Sequence, residues 1–146
     1  MGSSQTEQVR SPSQAAWSAA RFLYDWLPVA AWMLVIFISS SQPTMPGPPE
    51  PWLDFLIKKM AHVATYALLA ALIWRALHFS RGALLWALLL TALYGASDEF
   101  HQSLVPPREP AIRDIAIDTF GGFLGLLAVQ VCSDLYAAGR RRLLGR

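Results

Sequence analysis

Residues 83–97 read ALLWALLLTALYGAS, and residues 98–105 continue DEFHQSLV before Pro106 and Pro107. The apolar part alone makes about 22 Å of helix, short of the roughly 30 Å hydrocarbon core of a bilayer. Neither glycine nor proline interrupts Asp98 to Val105, so the pattern predicts one helix over 83–105, long enough to span, with an acidic, histidine-bearing end. This stretch decides the fold, because a helix apolar on most faces with its charge confined to one end belongs in lipid.

Three more apolar blocks surround it, and they predict helices over about 22–41, 60–79 and 111–135. The composition agrees. Of 146 residues 54% are hydrophobic and only 15% charged, where a soluble domain carries about 25% charge. A net charge of +2 offers no basic excess for nucleic acid. The single cysteine, Cys132, excludes an internal disulfide and a thiolate-cluster metal site. Residues 1–21 read as a flexible polar tail, 22–138 as the transmembrane domain, and 139–146 as a basic tail. The proline-rich stretch 43–59 reads as a stiff connector. The expected fold is all-α, an integral membrane four-helix bundle with short loops.

With four spans, both termini share one side. Arg10, Arg21, Arg75, Arg81, Arg140, Arg141, Arg142 and Arg146 fall there, and Lys58, Lys59, Arg108 and Arg113 fall opposite. The positive-inside rule then predicts cytoplasmic termini. Arg75, late in its helix, is expected to snorkel toward the inner head groups. The same topology gathers polar groups at the other face. Lys59, His62 and Tyr66 stack on one side of the second helix; Asp98 and Gln102 share a face of the third, flanked by Glu99 and His101; Asp114 and Asp118 open the fourth. The Gly121-x-x-x-Gly125 spacing suits close approach of another helix, including a second copy of the chain.

Ionisable groups at membrane depth are costly unless paired, and mark function by default. Three chemistries suit these residue types. Carboxylates beside a histidine can exchange protons, with His62, Asp98 and Glu99 as the catalytic candidates. Arg108, with Lys59 or Arg113, can clamp the phosphate or carboxylate of an amphiphile, with Tyr66, His101, Gln102, Asp114 and Asp118 completing the binding site. His62, His101 and the carboxylates could hold a divalent cation, but no HExxH or comparable spacing is present, so no cofactor is expected. No Gly-x-Ser-x-Gly elbow indicates a serine triad. A purely structural network that locks the bundle remains the alternative.

The run Tyr94-Gly95-Ala96-Ser97-Asp98-Glu99-Phe100-His101-Gln102, then Pro106-Pro107-Arg108, then Asp114-x-x-x-Asp118 with Gly121-Gly122, resembles the signature of the VanZ-like membrane proteins. Lys59-x-x-His62-x-x-x-Tyr66 and Ser40-Ser41-Gln42-Pro43 agree with it. Asp118 stands where asparagine is often found, which adds a charge, and Pro107 where glycine is common. The resemblance covers about residues 22–131. It implies a small polytopic protein of the bacterial inner membrane, acting at the cell envelope, in a family named for a member associated with teicoplanin resistance. The site residues it implies are His62, Asp98, Glu99, Gln102, Arg108, Asp114 and Asp118. The expected partners are membrane lipids or a lipid-linked envelope amphiphile, bound or modified at the outer face. An intramembrane transferase or hydrolase is the competing expectation.

Overall fold

The computed structural model describes residues 13–43, 46–106 and 112–144. Among them stand four helices and no strand: α1 (Ser13–Ser40), α2 (Pro51–Ala76), α3 (Ala83–Gln102) and α4 (Ile112–Leu144). Each contains at least 20 residues apolar enough to cross a bilayer. Large apolar side chains cover the outside, with Leu85, Leu93 and Phe120 exposed at 63%, 67% and 55%. Such a surface is stable against lipid and not against water. The fold is that of a multi-pass membrane protein.

Several helix ends differ from the sequence reading. α1 begins at Ser13, not Phe22, so residues 13–21 of the expected tail are helical; Gln14-Ala15-Ala16-Trp17-Ser18-Ala19-Ala20-Arg21 contains no breaker, and alanine favours helix. α2 begins at Pro51, not Met60. Proline suits a first helical turn, where its missing N–H is not needed. Asp54 and Lys58 then brace that turn through a 2.7 Å ion pair. α2 stops at Ala76, short of Phe79, because His78 and Phe79 turn left-handed at φ of 59° and 53°. The Trp74 indole holds this turn by donating to the Ser80 carbonyl at 3.0 Å and meeting the Phe79 ring edge-on. α3 ends at Gln102 and closes with a turn through Val105, as the approaching prolines disfavour helix. α4 runs on through the expected basic tail to Leu144; arginines suit the negative end of a helix dipole.

The chain passes up, down, up and down. α2 and α3 occupy the middle, with α1 on one side and α4 on the other, and α1 does not touch α4 among the described residues. α2 and α4 run parallel and pack closest. Gly121 and Gly125 make this possible: a Cβ at Gly121 would lie 2.6 Å from the Val63 carbonyl oxygen, and one at Gly125 would lie 2.6 Å from the Ala67 Cα. α2 of the same chain thus lies against the Gly121/Gly125 face. Tyr66, Leu69, Ala70, Ile73, Ala87 and Leu126 form the dry centre behind this contact.

α1 is held differently, by hydrogen bonds between side chains and main-chain carbonyls. The Trp32 indole donates to the Thr65 carbonyl at 3.0 Å, and the Tyr94 hydroxyl donates to the Met33 carbonyl at 2.6 Å. The third tie follows from Pro28, which has no N–H to offer the Tyr24 carbonyl one turn earlier. Arg75 supplies the missing donor, at 3.0 Å to the Tyr24 carbonyl and 3.1 Å to that of Asp25, with its guanidinium 5.2 Å above the Tyr24 ring. Arg75 thus engages the main chain of α1.

Candidate functional site

The antiparallel passage puts the end of α1, the start of α2, the end of α3 and the start of α4 at the same end of the bundle. Their polar side chains meet there in three layers. The first is Asp98, 4% exposed, whose carboxylate accepts from the Ser40 hydroxyl at 2.5 Å, the Tyr66 hydroxyl at 3.2 Å and the Gln102 amide at 2.9 Å. Three donors from α1, α2 and α3 satisfy a buried carboxylate that would otherwise be strongly destabilising. Gly95, one turn before Asp98, leaves room for Tyr66 and Asp118, each 3.4 Å from where its Cβ would stand.

The second layer is His62 and Asp118. His62 Nδ1 lies 3.0 Å from Asp118 Oδ1, with the Asp118 side chain 2% exposed and the His62 side chain 27% exposed. A carboxylate behind an imidazole fixes the ring and directs its other nitrogen, Nε2, away from the pair. The Tyr66 ring stacks beside it at 6.4 Å. The third is Lys59, which meets both oxygens of Asp114 at 2.6 Å, each side chain 19% exposed. Arg113 lies 3.6 Å from the same carboxylate and is otherwise exposed. Lys58 faces Asp54 and takes no part in this cluster.

A family model described as VanZ/LLP1 matches residues 5–133. The chain belongs to the VanZ/LLP1 family. No curated protein and no solved structure matches it. In this VanZ/LLP1 chain, Lys59 with Asp114, His62 with Asp118, and Tyr66 and Gln102 with Asp98 form three hydrogen-bonded groups at this end of the bundle. Glu99 is buried beside Asp98 on α3, at 6% exposure. His101 lies on the α1 side, its ring stacked on Phe37 at 4.3 Å and its Nε2 3.0 Å from the Ser41 hydroxyl. Arg108 lies outside the described residues. Among those residues, no three His, Cys, Asp or Glu side chains form a group that could hold a metal.

The VanZ/LLP1 site has members that a site list built from charge leaves out. Ser40 and Ser41 close α1, and a serine pair before glutamine and proline reads as a helix terminator. Topology was the available signal, since α1 ends on the face where α3 ends. Phe37 was hidden for another reason: an aromatic residue inside an apolar helix carries no mark of stacking on a histidine.

Proposed function

We propose that this membrane protein receives the head group of an anionic amphiphile at the polar end of its bundle and exchanges a proton with it through His62. The reading rests on one observation, the arrangement of His62 over Asp118. The Asp118 carboxylate is buried and the His62 imidazole is partly exposed, so the group that meets a ligand is a proton-bearing nitrogen braced from behind. Lys59, also partly exposed, and Arg108 supply the cationic contacts that a phosphate or carboxylate needs. The apolar tail of the ligand lies along the helices, as lipid does. The membrane proposed is the bacterial inner membrane, with the site at its outer face and the termini in the cytoplasm. An envelope amphiphile in this position connects the protein to glycopeptide susceptibility of the teicoplanin type.

Mass spectrometry of lipids retained by the purified protein tests this. Wild type is expected to retain anionic lipid, and Lys59→Met and Arg108→Ala to lose most of it while remaining folded. Retention unchanged in both variants overturns the binding assignment. The purely structural alternative is favoured by the pairing of Lys59 with Asp114 and of His62 with Asp118; a variant that folds stably yet retains no lipid excludes it.

A further inference from the structure

The pair on the α1 side of the site is not used by that reading. Ser41 Oγ and His101 Nε2 are 3.0 Å apart, a distance at which a hydroxyl passes its proton to an imidazole. Ser41 Oγ is also 2.7 Å from the Phe37 carbonyl. The hydroxyl has one proton and two acceptors, and the His101 tautomer decides between them. With the ring proton on Nδ1, Nε2 accepts from Ser41; with it on Nε2, the ring donates to Oγ and the hydroxyl turns to Phe37. Phe37 stacks on the imidazole at 4.3 Å and 26° between planes, which holds Nε2 in line with Oγ in either state. Neither Ser41 nor His101 is fully buried, in contrast to Ser40, which is 5% exposed and closed against Asp98.

The position of Ser41 indicates its substrate. The stretch of α1 long and apolar enough to span ends at Ser40, and the end of such a stretch falls near the boundary between hydrocarbon and head groups. Ester carbonyls that join acyl tails to a lipid head group lie at that depth, with the phosphate farther out. We propose that Ser41 and His101 are the nucleophile and general base of a lipid ester hydrolase, with His62 and Lys59 receiving the head group; the assignment of substrate rests on the amphiphile reading above. Ser41 Oγ attacks the ester carbonyl carbon as its proton moves to His101 Nε2. The carbon–oxygen bond to the alcohol breaks, and the departing oxygen takes the proton from Nε2. Water then attacks the acyl-serine, His101 accepts a proton from it, the bond to Oγ breaks, and the proton returns to Oγ. The balance is ester plus water to acid plus alcohol.

An alkyl fluorophosphonate, which phosphonylates activated serines, tests the pair on the intact wild-type protein in detergent. Ser103 is the internal reference: its hydroxyl also bonds a carbonyl of its own turn, Phe100 at 2.6 Å, but it is exposed and has no imidazole bonded to it. Labelling mapped by peptide mass spectrometry is expected to favour Ser41 over Ser103 by about 100-fold or more, as general-base assistance provides. His101→Gln, or His101→Asn if the first does not fold, is expected to remove that preference. Equal labelling of the two serines in wild type, or an undiminished preference in a folded His101 variant, overturns the proposal. Lipid retention by Ser41→Ala separates the two readings. Lipid still bound, with no serine preference in wild type, refutes the hydrolase and leaves the binding site standing; lipid lost from Lys59→Met leaves the binding site supported whatever the label shows.

Discussion

Gly121→Ala tests whether helix spacing sets the geometry of the site. The new methyl would lie 2.6 Å from the Val63 carbonyl oxygen and 2.8 Å from the Val63 Cα, where ordinary contact begins at 3.4 Å. Both obstacles are backbone, so α2 and α4 must part by roughly 0.7 Å, as a close-packed interior leaves no slack. Two turns or less from Gly121, the same displacement would stretch the 3.0 Å His62–Asp118 contact and the 2.6 Å Lys59–Asp114 pair to about 3.7 Å and about 3.3 Å, the first beyond hydrogen-bonding range. The expected loss of stability is about 1–3 kcal/mol from overpacking. Gly122→Ala is the control. Its methyl meets the Thr91 Cγ2 at 3.0 Å, the Ala70 Cβ at 3.5 Å and the Leu88 Cδ1 at 3.6 Å, all side-chain atoms. No backbone is met and the closest approach is longer than at Gly121, so the expected loss is smaller than for Gly121→Ala. Denaturation in mixed micelles measures the first effect, and the 15N shift of His62 Nδ1 measures the second. Equal destabilisation by the two alanines, or an unaltered His62 signal in Gly121→Ala, would refute the coupling of packing to site geometry.

Three further outcomes are expected. Arg75→Met should destabilise the protein by about 1–2 kcal/mol, the upper range for hydrogen bonds within membranes, and by clearly less in a Pro28→Ala background, where residue 28 regains an N–H for the Tyr24 carbonyl; a double-mutant cycle with no coupling contradicts the pairing. Asp98→Asn replaces one of two acceptor oxygens with an amide donor while three donors still point at it, so a loss of about 1–3 kcal/mol is expected in denaturation, and a neutral result speaks against the buried network. Tyr94→Phe removes the 2.6 Å bond to the Met33 carbonyl; hydrogen exchange at the middle of α1 should accelerate several-fold, and unchanged exchange would show that the bond does not hold that helix.

Much of the fold was legible because a bilayer imposes length and polarity together. The run from Ala83 to Gln102 spans only if its polar end is included, and that requirement led directly to Asp98 at depth. The start of α2 was not legible from polarity. Lys58 and Lys59 interrupt the apolar run after Leu53-Asp54-Phe55-Leu56-Ile57, and only the Asp54–Lys58 brace shows that the helix passes through them. In the site, the carboxylates and His62 announced themselves by being charged in an apolar context. Arg75 gave the same signal and the opposite outcome, since its partners are main-chain carbonyls of α1, one of them left without its helical donor by Pro28. The glycine stripe indicated close approach correctly but could not name the approaching helix, because α2 and a second molecule present the same requirement.

Three of the ties that hold α1 share an asymmetry: Trp32, Arg75 and Tyr94 each act on a carbonyl, which every residue possesses. Information about where α1 docks is therefore written on one partner at each contact. Tyr24, Asp25, Met33 and Thr65 can be replaced by other helix-compatible residues without erasing the addresses, whereas the donors cannot. Substitutions at Met33 and Thr65 leave the register of the helix fixed in this way, while Tyr24 also carries the ring under the Arg75 guanidinium and Asp25 a carboxylate 3.7 Å from His78. That register also determines the far end of α1. A slip of one residue moves the helix by about 1.5 Å, enough to carry Ser40 off Asp98 and Ser41 off His101, so residues deep in the opposite half of the bundle govern whether the two serines arrive at their partners.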